Sequence, residues 1–172
     1  MILVMGIDPG VASTGFGVVR VAGARMSVVD GGVIQVPPGE PTESRLAEIH
    51  DELAELIAWH EPAAVALENV YFGKNVRSAI AVGQARGVAL LAAAKRDVRC
   101  FDYTPQAVKM AVCGSGAATK DQVQRMVGSL LSLPEPPEPD HTADALAVAI
   151  CHAAQMRPER ALAAQASEAG SA

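Results

Sequence analysis

The sequence predicts one α/β domain, a five-stranded mixed sheet flanked by helices. Three observations carry that expectation. Three strand-like runs follow one another in residues 1–36. Beyond them, short apolar runs alternate with longer stretches of helical periodicity, the pattern of crossover connections. Half of the 172 residues are apolar but only 3% are aromatic. Alanine and valine carry much of the apolar content, which suits helices packed closely on a sheet. A chain of this length can bury roughly two-thirds of its unfolded surface around one core.

Residues 2–7 read as a buried strand, closed by Asp8 and a Pro9-Gly10 turn. Residues 15–21 and 26–36 read as two more strands, joined by a hairpin at Ala22-Gly23-Ala24. Pro37-Pro38-Gly39 ends that run. Thr42 is placed to cap a helix over residues 43–59, in which Leu46, Ile49, Leu53, Leu56 and Ile57 recur at helical spacing. Residues 63–68 form a short apolar strand ending in Glu68, and 69–75 read as irregular. A helix follows over residues 77–96. Its Gly83 and Gly87 each cost about 1 kcal/mol, which points to close contact with the sheet or a second subunit. Residues 98–103 are the last strand. Thr104-Pro105 starts a helix with proline at its first position, and residues 113–118 form a flexible turn. Thr119-Lys-Asp-Gln122 fits a capping box for a helix to residue 131. A proline-rich connector over 134–139 leads into a strongly apolar helix that begins at Asp140 or His141 and runs to residue 154. The domain is therefore expected over residues 1–156, with 157–172 a flexible tail.

Bulk properties exclude several classes. The opening apolar run meets an acid at position 8 with no basic segment before it, unlike a secretory signal. No stretch approaches the roughly 20 apolar residues of a membrane span. Cys100, Cys113 and Cys151 lack metal-site spacing and an even count, so they are expected to be reduced thiols in the cytoplasm. The formal charge of −5 argues against nucleic acid until its distribution is considered. Residues 1–73 hold three Lys/Arg against ten Asp/Glu, and residues 126–172 two against six. Residues 74–125 hold nine against three, a local balance of +6. A local field of that sign can steer a polyanion, although a solvated helical face is an equally available explanation.

Four side chains invite chemistry. Asp8 and Glu68 both end strand-like runs, where a carboxylate is costly unless a cation or hydrogen-bond donors compensate for it. On the last helix Asp144 stands among Ala143, Ala145, Leu146, Ala147 and Val148, and His141 lies three positions earlier on the same face, with Asp140 four positions earlier. Taken singly, Asp8 could stabilise a turn, Glu68 could pair with a base at the core's edge, Asp144 could accept a core hydrogen bond, and His141 and Asp140 could simply start the helix. Taken together they are hard oxygen ligands with one nitrogen, suited to Mg²⁺ or Mn²⁺. Two such ions about 4 Å apart would support phosphodiester hydrolysis.

The ordered segments Gly6-Ile-Asp-Pro-Gly10, Thr14-Gly-Phe-Gly17, Ala66-Leu-Glu68, Gly83-Gln-Ala-Arg-Gly87, Tyr103-Thr-Pro-Gln-Ala-Val-Lys109, Gly114-Ser-Gly116, Lys120 and Ala143-Asp-Ala-Leu-Ala147 resemble the RuvC family of Holliday-junction resolvases, within the ribonuclease H-like fold. The resemblance covers residues 1 to about 156. It implies a homodimer that places paired, symmetric nicks in four-way junction DNA during recombination and repair. It also implies two divalent ions per site, products with a 5′-phosphate and a 3′-hydroxyl, and cooperation with a junction-binding protein and a branch-migration ATPase. The family's catalytic and metal-binding positions fall on Asp8, Glu68, His141 and Asp144. Many members carry aspartate where this chain has His141, which bears on how the second ion is held and on Mg²⁺ against Mn²⁺.

Lys109 and Lys120 match family lysines near the cleft and could hold phosphate. Lys120 also lies at a helix start, where backbone N–H groups favour anions. Lys74, Arg77 and Arg86 are further candidate backbone contacts, Arg86 serving equally well in helix packing. Tyr71 matches a family aromatic that would stack at the opened junction centre, and Phe72 could share that role. Two rival readings stand beside this one. Gly6-Ile-Asp-Pro-Gly10 also resembles the first phosphate loop of actin-like ATPases, a fold that needs a second lobe for which 172 residues leave no room. A non-catalytic junction-binding protein is the other, disfavoured by the intact acidic set.

Overall fold

The computed structural model describes residues 1–69 and 76–169, with side chains up to residue 156. Chain order is β1 (Ile2–Asp8), β2 (Ser13–Ala22), β3 (Arg25–Gln35), α1 (Thr42–His60), β4 (Ala64–Glu68), α2 (Val76–Ala94), β5 (Cys100–Tyr103), α3 (Pro105–Cys113), α4 (Lys120–Leu130) and α5 (Asp140–Ala169). The strands form one sheet in the order β3-β2-β1-β4-β5. The hairpin-connected strands β1, β2 and β3 pair antiparallel, whereas β4, reached through a helix, pairs parallel with β1, and β5, reached through another, pairs parallel with β4. The mixed five-stranded α/β fold expected from the sequence is the one observed.

Strand alternation divides the core into two layers. Met5 and Ile7 of β1, Val18 of β2, and Val65 and Leu67 of β4 pack with α1 and α2, through Ile49, Leu53, Ile57, Ala89 and Ala92. Val4, Val19, Val21, Ala66 and Tyr103 point the other way, onto Val108 and Val112 of α3, Val123 and Val127 of α4, and the buried α5 run from Leu146 to Cys151. Asp8 and Glu68 share the alternation of Val4 and Ala66, so both face α5.

The position of α5 follows from missing side chains. A Cβ on Gly6 would fall on the Ala145 carbonyl oxygen, and one on Gly15 on the His141 carbonyl oxygen. A Cβ on Gly17 would lie 2.6 Å from Leu146 Cδ2. Gly6 pairs with Gly17 across β1 and β2, and Asp8 with Gly15. The three glycines thus form a shallow seat that lets the α5 backbone rest directly on the sheet beside Asp8. Farther along the helix, Tyr103 Oη and His152 Nδ1 share a buried hydrogen bond of 2.6 Å, which ties α5 to β5.

Several local expectations change. Pro41, not Thr42, occupies the N-cap of α1 and supplies no side-chain bond, while Thr42 is already helical. By contrast, Thr104 caps α3 through the Ala107 N–H, and Thr119 with Gln122 forms the expected capping box of α4. β5 begins at Cys100 rather than 98, because Asp97 turns with φ 56° and the Val98 N–H closes α2 by bonding the Ala93 carbonyl. α5 is helical to Ala169, well past residue 154; its alanine-rich sequence there has high helix propensity. Gly83 and Gly87 do not approach the sheet: both are exposed, with nothing within 4 Å of a Cβ placed on either.

Candidate functional site

Two adjacent parallel strands present the first two carboxylates. The β1–β4 register ends with Ile7 beside Leu67, so Asp8 and Glu68 emerge side by side at the carboxyl ends of their strands. Behind Asp8 the Pro9-Gly10 turn is fixed by the fully buried Thr14, whose hydroxyl donates to the Gly10 carbonyl at 2.8 Å. The first turns of α5, seated over Gly15, bring in His141 and Asp144.

Asp8, Glu68, Asp144, Lys109 and Lys120 all line one cleft of about 510 Å³, with Val82, Pro105, Val108 and Val123 as its apolar walls. His141 flanks it, its Nδ1 2.7 Å from Asp8 Oδ2. Lys120 Nζ bridges Asp140 Oδ2 at 3.1 Å and Asp144 Oδ2 at 3.2 Å. Lys120 and Asp140 therefore belong to one network with the acidic set, a pairing between α4 and α5 that spacing along the chain could not reveal.

The electrostatics record crowding of like charge. Burial, reinforced by the Asp8 and Asp144 carboxylates and only partly offset by Lys109, raises the Glu68 pKa from 4.5 to about 7. Burial likewise raises Asp144, Lys120 pulling against it while Asp8 and Asp140 add to the rise. Burial pulls Lys120 down, but its bonds to Asp140 and Asp144 outweigh that and lift its pKa. A cation in this cleft would relieve the repulsion, and oxygen donors of this kind suit Mg²⁺ or Mn²⁺. The donors here are engaged with protein partners, His141 on Asp8 and Lys120 on Asp144, and among the described residues no three His, Cys, Asp or Glu side chains are grouped closely enough to hold an ion.

The remaining candidates scatter. Arg77 is exposed at the start of α2. Arg86 is mostly buried, and its guanidinium bonds Asp102 and the Glu68 carbonyl. Tyr71, Phe72 and Lys74 lie outside the described residues. Asp102 went unremarked in the sequence; its signal is one acid between Phe101 and Tyr103 on a short strand. Cys100, Cys113 and Cys151 are free thiols. Among the described residues no helix is long and apolar enough to cross a membrane.

Comparison with known proteins gives a consistent result. The sequence model of the family described as "Crossover junction endodeoxyribonuclease RuvC" matches residues 4–152. A relative bearing that name from Pelotomaculum thermopropionicum is 52% identical over 160 residues, 93% of this chain and 98% of its own. Another from Rubrobacter xylanophilus is 50% identical, covering 88% of this chain and 84% of its own. The structure of Thermus thermophilus RuvC in complex with Holliday junction substrate superposes with a TM-score of 0.88 at 39% identity, over 92% of this chain and 97% of that one. The yeast mitochondrial Holliday junction resolvase, at 14% identity and a TM-score of 0.65 over 94% of this chain and 85% of that one, shares the fold.

Proposed function

This chain belongs to the RuvC family of crossover junction endodeoxyribonucleases, and we propose that it resolves four-way DNA junctions by paired, symmetric phosphodiester cleavage. One observation carries the reading: three carboxylates and two lysines from five different elements converge on a single cleft. That mixture of signs is what hydrolysis of a polyanion requires. Lysines hold phosphate oxygens against the site, and carboxylates hold the cations and protons of the reaction.

Asp8, Glu68, Asp144 and His141 are the residues that would hold two divalent ions, Mg²⁺ or Mn²⁺, once their side chains left the present pairings of His141 with Asp8 and Lys120 with Asp144 and drew together. Bound there, the ions supply activation of water and neutralisation of the leaving oxygen. The protein's own part is geometric. The glycine seat holds His141 and Asp144 against Asp8, and the parallel register places Glu68 beside Asp8. Glu68, whose pKa is raised to about 7 by burial and by Asp8 and Asp144, would be favoured in its ionised form by a cation held beside it. Lys109 and Lys120 then face the phosphate, and Asp140 keeps the Lys120 ammonium oriented. The apolar walls shield these groups in part from solvent and so strengthen their interactions.

Paired cuts need two sites. The exposed stripe of α2, with Val76 66%, Ile80 56% and Leu91 51% accessible around Gly83 and Gly87, supports a homodimer in which two α2 helices pack closely about a twofold axis. A cytoplasmic location, and cooperation with a junction-binding protein and a branch-migration ATPase, complete the reading. The deciding assay is cleavage of a labelled mobile four-way junction, beside linear duplex and RNA–DNA hybrid, with Mg²⁺ or Mn²⁺. Wild-type protein is expected to cut the junction selectively, and Asp8→Asn to bind it without cutting. Equal cleavage by the two proteins overturns the assignment.

A further inference from the structure

Arg86 sits on α2 one turn beyond Val82, which lines the cleft, yet Arg86 itself does not line it. Its side chain is only 16% exposed. To the described residues the guanidinium makes two bonds. One goes to Asp102 Oδ1 at 2.5 Å, and the other is donated to the main-chain carbonyl of Glu68 at 3.3 Å. Strand alternation explains the meeting: Phe101 and Tyr103 enter the core on the α5 side, so Asp102 faces α2. The Glu68 carboxylate, in contrast, points into the cleft on the α5 side. Arg86 therefore grips the catalytic residue by its backbone, from behind.

That grip falls at a weak point. β4 is five residues long and ends at Glu68. Past Leu67 its register with β1 is no longer continued, and on the β5 side the Asn69 N–H bonds the Tyr103 carbonyl at 2.8 Å. A strand end with few ladder bonds moves more easily than a strand centre. Here the carboxylate it carries must be held within a fraction of an ångström to function.

We propose that Arg86 is a positioning residue: by bridging Asp102 and the Glu68 carbonyl, it fixes the end of β4 and so aims the Glu68 carboxylate into the cleft. The planar fork of arginine suits two acceptors at fixed angles, a task that the point charge of lysine performs poorly. Because Arg86 and Ile80 lie on one helix, the same bridge ties the catalytic strand to the exposed α2 stripe.

The inference rests on the nuclease reading of the cleft, so its test carries a readout independent of activity. Arg86→Ala, Arg86→Lys and Asp102→Asn would be compared with wild type in single-turnover junction cleavage at saturating protein, in junction binding, and in hydrogen exchange at the Asn69 amide. Arg86→Ala is expected to lower the cleavage rate roughly 100-fold with binding little changed, the scale on which displacement of a catalytic group acts. Arg86→Lys and Asp102→Asn are expected to fall between wild type and Arg86→Ala, and the Arg86→Ala/Asp102→Asn double variant to match Arg86→Ala alone. Exchange at Asn69 is expected to quicken in the same order. A variant that binds the junction poorly but cuts normally at saturation would make Arg86 a phosphate contact and overturn the proposal. Unchanged cleavage with unchanged Asn69 exchange also overturns it. Were wild type itself inactive on junctions, the nuclease reading would fail, while the exchange data would still decide whether the bridge holds the strand end. If Arg86→Ala does not fold, Asp102→Asn, which keeps the side-chain volume, carries the test.

Discussion

Replacing Glu68 by glutamine should make the cation-free protein more stable while abolishing its activity. The folded protein holds the Glu68 proton more tightly than the unfolded chain does, with a pKa of about 7 against an ordinary 4.5. Between those values the folded state binds more protons than the unfolded state, so stability falls as pH rises through the window. Complete isolation from solvent would make that rise worth about 3 kcal/mol. The carboxylate opens onto the cleft and is partly screened, so about 1–2 kcal/mol is expected by about pH 8. Glutamine removes the charge and its repulsion of Asp8 and Asp144. Chemical denaturation in chelator, at fixed protein concentration, should place Glu68→Gln above wild type by that amount at about pH 8 and leave the two nearly equal near pH 4.5. Added Mn²⁺ should reverse the order by stabilising wild type selectively, through binding to the folded state. A variant less stable than wild type at high pH without metal, or a difference that ignores pH, would refute the account of crowded carboxylates.

Three other expectations concern the scaffold and the neighbouring ligand. Gly6→Ala forces a Cβ onto the Ala145 carbonyl; backbone cannot yield as a side-chain tip can, so a loss of about 3 kcal/mol is expected. Calorimetry should show Tm lowered by about 6–12 °C, and a change under about 2 °C would show that α5 does not rest on the sheet there. Ile80→Glu sets like charges on the exposed α2 stripe and should convert a dimer to monomers in sedimentation; persistence of a dimer at low micromolar concentration would place the interface elsewhere. His141→Asp exchanges the nitrogen donor beside Asp8 for oxygen and should alter the ratio of Mg²⁺- to Mn²⁺-supported cleavage. An unchanged ratio would remove His141 from the choice of metal.

The sequence exposed the features that arise from local pattern. An acid terminating an apolar strand run is visible at Asp8 and Glu68, and an acid in a buried helical face is visible at Asp144, because burial of charge violates the pattern around it. Thr104 and Thr119 were legible as caps because a cap bond closes within three residues. Thr42 misled for the same local reason: extended backbone at Pro41 starts the helix one residue earlier. What stayed hidden was long-range pairing. Lys120 read as a lone cation for phosphate, while its contacts with Asp140 and Asp144 come from the packing of α4 on α5. Arg86 read either as a phosphate contact or as a helix-packing residue, and only the fold supplies its partner, Asp102. The two glycines of α2 were ambiguous between sheet and partner, and the exposed face they occupy removes the sheet from that choice.

The glycine seat under α5 separates two kinds of change that mutation could bring to this site. Side chains at 8, 68, 141 and 144 hang from a frame in which main chain touches main chain, so one ligand can be exchanged for another without disturbing where the rest begin. Histidine or aspartate at position 141 starts from the same Cα, above the same glycine. A substitution at Gly6 or Gly15 instead lifts the helix itself and shifts every donor on it together. Chemical identity at this cleft is therefore adjustable residue by residue, while the distance of its α5 ligands from Asp8 is set by three positions that have no side chain at all.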